Sequence, residues 1–293
     1  MSAPVVAVLG AGVMARAIAP HLRGRYRLRW FNRTPGRVPA APGEAVCANA
    51  RQAAAGADAA LALVGDDEAA AAVWDGPAGA IAGLAPGAVA VECSTLSAPR
   101  IRAWTAACSA AGIRAVDCPL TGGRERARAG TLIGLAGGEA QAIAAARPLL
   151  DRFTERLIVF GPSSSGSSYK LVHNLAAGIA LASVAEALGL ARALGLDEDL
   201  VLSVLGEYGW AAPAASYVRQ FTHGRDPADV GCSAANLAKD VAYATAAAES
   251  TGRPTALGTA AHRLLAAVPH AARVDMAAVA LPSLQSLPDG TAS

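Results

Sequence analysis

Five stretches of this chain hold residues whose types and spacing suit catalysis or binding. Gly10-Ala11-Gly12-Val13-Met14-Ala15 directly follows an apolar run and opens an alanine-rich segment. Strand, glycine turn and helix in that order make the G-x-G-x-x-G/A fingerprint of a dinucleotide site. Gly10 permits the tight turn, Gly12 lets the backbone approach a pyrophosphate, and small Ala15 allows helix and strand to pack closely. A helix that begins at Val13 and Met14 offers the phosphates unpaired N–H groups and the positive end of its dipole. About 20 residues further on, where an NAD site carries Asp or Glu for the ribose hydroxyls, stand Asn32, Arg33 and Thr34. A carboxylate would repel a 2′-phosphate, whereas a guanidinium beside an amide and a hydroxyl suits one, so the expected coenzyme is NADP, with NADPH preferred over NADH.

Lys170 and Asn174 are four apart in a helical pattern and share one face. A lysine there can exchange a proton with an alcohol or carbonyl oxygen while the Asn orients the substrate. In isolation the same pair reads as a solvated helix face. Thr121-Gly122-Gly123 follows a strand end, where open α/β sheets bind ligands. Its paired glycines leave N–H groups accessible to a substrate carboxylate, the alternative being an ordinary strand-to-loop turn. Ser94 and Thr95 close the preceding strand, as substrate and coenzyme contacts near a nicotinamide or as a plain polar pair at a strand end.

The elements that must position these residues follow from the hydrophobic pattern. Apolar runs at 5–9, 27–31, 60–64, 88–93, 113–118, 131–137 and 156–160 alternate with alanine-rich helical stretches. That alternation implies a doubly wound parallel sheet, with runs apolar on both faces because helices cover both sides. After Gly161 a serine-rich piece (162–168), itself readable as a flexible linker, leads into one long helical segment at about 169–194, and only helical patterns follow. The expected architecture is an α/β Rossmann domain over 1–162, then an all-α domain for substrate and dimerisation over 163–293. The tail past Pro282 has little to bury and is expected to fray.

Composition excludes several classes of function. The 293 residues suit about two domains. Only 16% are charged, against about 25% in typical globular chains, and 25 basic against 23 acidic residues leave +2 with no block of one sign. No electrostatic footprint for nucleic acid or anionic lipid exists. The charge-free intervals 76–91 and 171–185 fall short of the about 20 residues that span a bilayer, and the N-terminus lacks the marks of a signal peptide. The five cysteines (47, 93, 108, 118 and 232) lack C-x-x-C spacing, which fits reduced thiols and a cytoplasmic chain better than a disulfide framework or a zinc site.

Four segments, in order, resemble the β-hydroxyacid dehydrogenase family, whose relations include 6-phosphogluconate dehydrogenases and imine reductases. They are the glycine turn at 10–15; Asp117 to Gly123 with Gly130-Thr131-Leu132 and Gly137-Gly138; Gly161, Gly166, Lys170 and Asn174; and Lys239-Asp240. The resemblance implies hydride transfer between a nicotinamide and a small β-hydroxyacid or semialdehyde, with Lys170 as general acid/base. It implies that the loop at Thr121, usually Ser in the family, holds the acid group, and that Lys239 approaches coenzyme and substrate. It also implies a homodimer or a dimer of dimers, as the mostly apolar circumference of segment 171–194 requires wide cover. Ser164 replaces the family's central glycine, Arg126 stands where a glycine is usual, and His173-Asn174 resembles the 6-phosphogluconate dehydrogenase pattern. Arg124, Arg126 and Arg128 recognise a further anion or are merely solvated. Imine reduction is the alternative, though imine reductases generally lack the lysine; a third reading is an inactive NADP-binding interaction module.

Overall fold

The protein is described by a computed structural model over residues 3–223 and 230–280. The expected fraying past Pro282 lies outside the described residues. The chain divides into two compact units, Met1–Lys170 and Leu171–Ser293.

In the first unit the strands are β1 (Val5–Leu9), β2 (Arg27–Phe31), β3 (Ala45–Val46), β4 (Ala59–Ala62), β5 (Val89–Glu92), β6 (Arg114–Asp117), β7 (Leu120–Thr121), β8 (Leu132–Gly137) and β9 (Thr154–Gly161). The helices are α1 (Val13–Leu22), α2 (Ala50–Ala54), α3 (Asp67–Trp74), α4 (Ala98–Ala110), α5 (Gly123–Ala129) and α6 (Ala140–Leu150). The sheet order is β3-β2-β1-β4-β5-β6-β8-β7, with β9 also paired to β8. Every pairing from β3 to β6 is parallel, as the alternating pattern requires. Beyond β6 the sheet is mixed: β8 runs antiparallel to β6 and β7, and β9 parallel to β8. The doubly wound parallel expectation therefore holds up to β6, after which the turn at Gly122 and Gly123, both at positive φ, sends the chain back.

Strand periodicity explains why the sheet is covered twice. Val6 and Val8 point into one core with Ala15, Ile18 and Leu22 of α1 and Ile143 and Leu149 of α6. Val5, Ala7 and Leu9 point into the other with Ala53 of α2, Trp74 of α3, and Ile101 and Trp104 of α4. Successive side chains alternate sides, so a strand without polar residues must be sandwiched.

A 29-residue helix, α7 (Ser165–Ala193), about 43 Å long, leaves the first unit and runs into the second. The linker reading of 162–168 is thereby corrected, since Ser165–Ser168 form the first turn of this helix. The second unit continues as α8 (Glu198–Tyr208), α9 (Ala212–Thr222), α10 (Ala234–Ser250) and α11 (Ala256–Ala266). By length and hydropathy α7 is long and apolar enough to cross a membrane. Its Leu181, Val184 and Leu188 are nevertheless buried against Leu202, Val218, Leu237 and Leu265 as the unit's own core.

The start of α7 is fixed by a residue far away in sequence. Asp117, at the end of β6 and 1% exposed, accepts the backbone N–H of Ser164 through Oδ1 and that of Ser167 through Oδ2, each at 2.7 Å. A Cβ on Gly166 would collide with the Leu135 carbonyl oxygen, so the helix end and the end of β8 meet backbone to backbone. Ser164 is held at φ +77, a conformation that costs an L-residue roughly 1–2 kcal/mol. Replacing Ser164 by Gly relieves that strain, partly offset by the greater freedom of glycine in the unfolded chain. The expected net gain is about 0.5–1 kcal/mol, a rise of roughly 1–4 °C in the thermal midpoint, and calorimetry showing a fall instead contradicts it.

Candidate active site

The glycine turn has the local geometry its sequence predicts. Gly10 sits at φ +102, donates its N–H to Phe31 O at 2.8 Å, and has no room for a Cβ, which would collide with the Leu63 carbonyl oxygen. Gly12 is different: a Cβ there meets nothing within 4 Å. It precedes α1 in extended conformation, with no side-chain cap and no acidic residue in the first turn. The α1 N-terminus therefore keeps donors for an anion and a space that any side chain at position 12 would begin to fill, which is the fit a dinucleotide needs. Val13 is exposed, Met14 packs against the core, and Ala15 is buried.

Asn32, expected at the coenzyme ribose, is engaged in the turn itself. Its Oδ1 accepts the Ala11 N–H at 3.1 Å and its Nδ2 donates to Thr34 O at 2.8 Å. Arg33 and Thr34 follow it on the surface. Sequence reasoning missed Arg16, which donates from Nε to Ala11 O at 3.0 Å and from Nη2 to Arg37 O at 2.6 Å. It ties the glycine turn to the loop after β2. Nothing in its spacing signals this, because both acceptors are backbone carbonyls brought close by the fold.

At the end of β5, Ser94 is 4% exposed and works within the framework. Its Oγ accepts the Val64 N–H at 2.8 Å and its own N–H donates to Glu92 Oε1 at 2.7 Å. Glu92, fully buried, also accepts the Trp74 indole N–H at 2.7 Å. Burial pushes its carboxyl above the ordinary range, opposed by the bonds from Ser94 and Trp74. Thr95 is half-buried beside it. Thr121 pairs with Ile133 across β7 and β8, and Gly122 and Gly123 are exposed at φ +124 and +71.

Lys170, half-buried, is the sixth residue of α7, one turn before Asn174. Within the second unit, Asn174 (8% exposed) donates from Nδ2 to Asp240 Oδ2 at 2.6 Å. Lys239 Nζ lies 2.9 Å from the other oxygen of Asp240 and 4.9 Å from the Tyr243 ring centroid. Asn174, Asp240 and Lys239 are thus brought together, with Asp240 in the middle. The sequence marked the Lys-Asp pair but not that the acid fixes the amide.

A glycine turn that opens a helix end to a dinucleotide, in a sheet of this order, defines an NAD(P)-dependent dehydrogenase or reductase. Known proteins agree. Residues 5–161 match the NAD binding domain of 6-phosphogluconate dehydrogenase, and residues 164–282 match the NAD-binding domain of NADP-dependent 3-hydroxyisobutyrate dehydrogenase. The first match alone spans more than half of the chain, which belongs to the β-hydroxyacid dehydrogenase family. It is 29% identical over 273 residues to an NAD-dependent L-serine dehydrogenase of Pseudomonas aeruginosa, covering 89% of this chain and 91% of that one. A 3-hydroxyisobutyrate dehydrogenase of the same organism is 30% identical over 203 residues, 68% of each chain. The solved structure of Mycobacterium tuberculosis 3-hydroxyisobutyrate dehydrogenase with L-serine superposes with a TM-score of 0.80 at 27% identity, over 96% of this chain and 99% of that one.

Burial raises the carboxyls of both Glu92 and Asp117 above their ordinary range. A raised native pKa gives stability that is complete below the ordinary carboxylate pKa and is lost as pH rises through the native value. Glu92→Gln removes one such group, so the excess of the unsubstituted protein over the variant in thermal midpoint is largest near pH 4 and shrinks towards pH 8. An excess that grows with pH reverses the sign of this assignment.

Proposed function

We propose that the chain is an NADP-preferring oxidoreductase acting on a small β-hydroxyacid or semialdehyde, with Lys170 as general acid in reduction and general base in oxidation. The nicotinamide, when bound, supplies or accepts the hydride. Lys170 Nζ gives a proton to the carbonyl oxygen, or takes one from the hydroxyl. Asn174 orients that oxygen with an amide that Asp240 holds in one rotamer, and Lys239 adds positive charge to the same group of residues. The Thr121 hydroxyl and the N–H groups at Gly122 and Gly123 hold the substrate carboxylate, and Ser94 supports the strand end at which Thr95 meets the coenzyme.

The observation that carries this reading is the clamp of Asp117 on the first turn of α7, which fixes the helix one turn before Lys170. NADP preference is supported by Arg33 and Thr34 standing exposed beside an Asn32 that brings no charge. Five free cysteines support a reducing compartment, here the cytoplasm. Self-association as a homodimer or a dimer of dimers is supported by Leu190, Leu194, Leu200 and Trp210 of the second unit, which are 61%, 65%, 63% and 107% exposed. A monomeric mass by light scattering overturns it.

Kinetics on a panel of hydroxyacids, semialdehydes and cyclic imines test the chemistry. Lys170→Ala lowers kcat by about 10² or more with coenzyme affinity retained, the usual scale of lost acid/base catalysis. Near-normal turnover in that variant removes the lysine from the mechanism, and faster turnover of imines than of any oxygen substrate selects imine reduction instead. Arg33→Ala lowers the NADPH over NADH preference about tenfold or more, the scale of a lost charge-assisted bond, and an unaltered ratio excludes the residue from the 2′-phosphate.

A further inference from the structure

Glu92, the last residue of β5, is fully buried. Strand alternation puts it on the same face as Ala90, which belongs to the core beneath α3 and α4, and there it meets Trp74. Two N–H groups converge on it from different elements: the Ser94 amide donates to Oε1 and the Trp74 indole to Oε2, each at 2.7 Å. Neither donor can turn round to become an acceptor. An ionised carboxyl presents an acceptor oxygen to both, whereas a glutamine of the same shape would turn its NH2 group towards one of them. Burying a carboxyl is costly, and filling space alone does not call for one.

The bonds continue towards the coenzyme site. Ser94 Oγ accepts the Val64 N–H at 2.8 Å, which ties the end of β5 to the end of β4. The glycine turn rests directly on that end of β4, since a Cβ on Gly10 would collide with Leu63 O and crowd Val64 Cγ1. The segment after β5 is pinned a second time where the Ser97 N–H donates to Asp67 Oδ1 at 2.9 Å. Thr95, read above as a coenzyme contact, lies between these two pins. In an open α/β sheet the ligand lies across the carboxyl ends of the strands, so the position of the β4 end relative to the β5 end shapes the surface it meets.

We propose that Glu92 is a positioning residue for the coenzyme: through Ser94 it holds the ends of β4 and β5 in the arrangement that lets the glycine turn and Thr95 meet the dinucleotide together. It acts on coenzyme binding and not on the proton step at Lys170. The inference rests on the coenzyme contacts read under the proposed function, and binding measured without substrate keeps the two separable.

Glu92→Gln is the test. Titration of the folded protein with NADPH, and with NADH in parallel, followed by nicotinamide fluorescence, gives a Kd about tenfold higher or more, the scale of one lost hydrogen bond whose donor is left unpaired. In turnover the coenzyme KM rises while kcat at saturation is nearly unchanged, as for lost uniform binding. Adding Trp74→Phe to Glu92→Gln removes the donor that the amide nitrogen would face, so the amide oxygen returns to the Ser94 N–H and most of the affinity is restored. A merely structural Glu92 lowers the thermal midpoint of the variant and leaves the Kd of the folded protein unchanged, which overturns the proposal. A Kd raised equally in the single and the double variant overturns it too. Should Glu92→Gln fail to fold, Glu92→Asp keeps both acceptors but withdraws them by one methylene; the same rise in Kd is expected, and an unchanged Kd again overturns the claim. If the unsubstituted protein binds neither coenzyme, the coenzyme reading falls and the role of Glu92 with it. If it binds coenzyme but turns over no hydroxyacid or semialdehyde, the substrate reading alone falls and the Kd values still decide the role of Glu92.

Discussion

The carboxylate of Asp117 sits at the carboxyl end of β6, shut away from water, and accepts the N–H groups of Ser164 and Ser167. Those are two of the four donors that the start of a helix cannot satisfy within itself. A capping box normally needs two side chains of the helix itself to do this, and here one residue 47 positions away does both jobs. Burying a carboxylate is expensive, and the two bonds do not fully compensate, since burial still pushes its pKa upward. The return is positional. A 29-residue helix carries Lys170 at its sixth position, and the first turn must be fixed if that side chain is to be fixed. The strained Ser164 and the collision that any side chain at position 166 would make with Leu135 O belong to the same local constraint.

Much of the framework was legible because it depends on period. An uninterrupted apolar run at 5–9 already implies two covered faces, and the two cores that share β1 are those faces. Each of the seven apolar runs overlaps a strand. What escaped the pattern has no period to show. β3 and β7 are two residues each, and the reversal of β8 against β6 and β7 is decided by pairing between distant segments. The composition acquires a cause as well: where α1 and α2 close on a double-faced sheet, alanines such as Ala15, Ala50 and Ala53 are buried because little else fits.

Among site residues, legibility followed the range of the interaction. Gly10 could be assigned from its neighbours because its need for a positive φ is local. Ser94 could not, since its hydroxyl serves the amide of Val64, 30 residues away, and its amide serves a buried glutamate. Asn32 shows a mixture of the two. Its place at the end of β2 marked it for the coenzyme, and its amide also ties the glycine turn, through the Ala11 N–H, to the turn that carries Arg33 and Thr34.

The same distinction sorts the cations of a nearly neutral chain, for which sequence alone leaves most arginines readable as solvated. Arg126 bonds to a backbone carbonyl and a surface carboxylate and so belongs to the frame. Lys239 is held by Asp240, which also holds Asn174, so its charge is fixed relative to that amide. Arg16 is anchored by two carbonyls, Ala11 O and Arg37 O, which fix its position without supplying a counter-charge. A guanidinium that is rigid and still uncompensated is the kind of donor that anion recognition requires, because neither ordering the side chain nor displacing a partner subtracts from binding. What separates a structural cation from a functional one is therefore not its exposure but whether the folded chain already supplies its counter-charge.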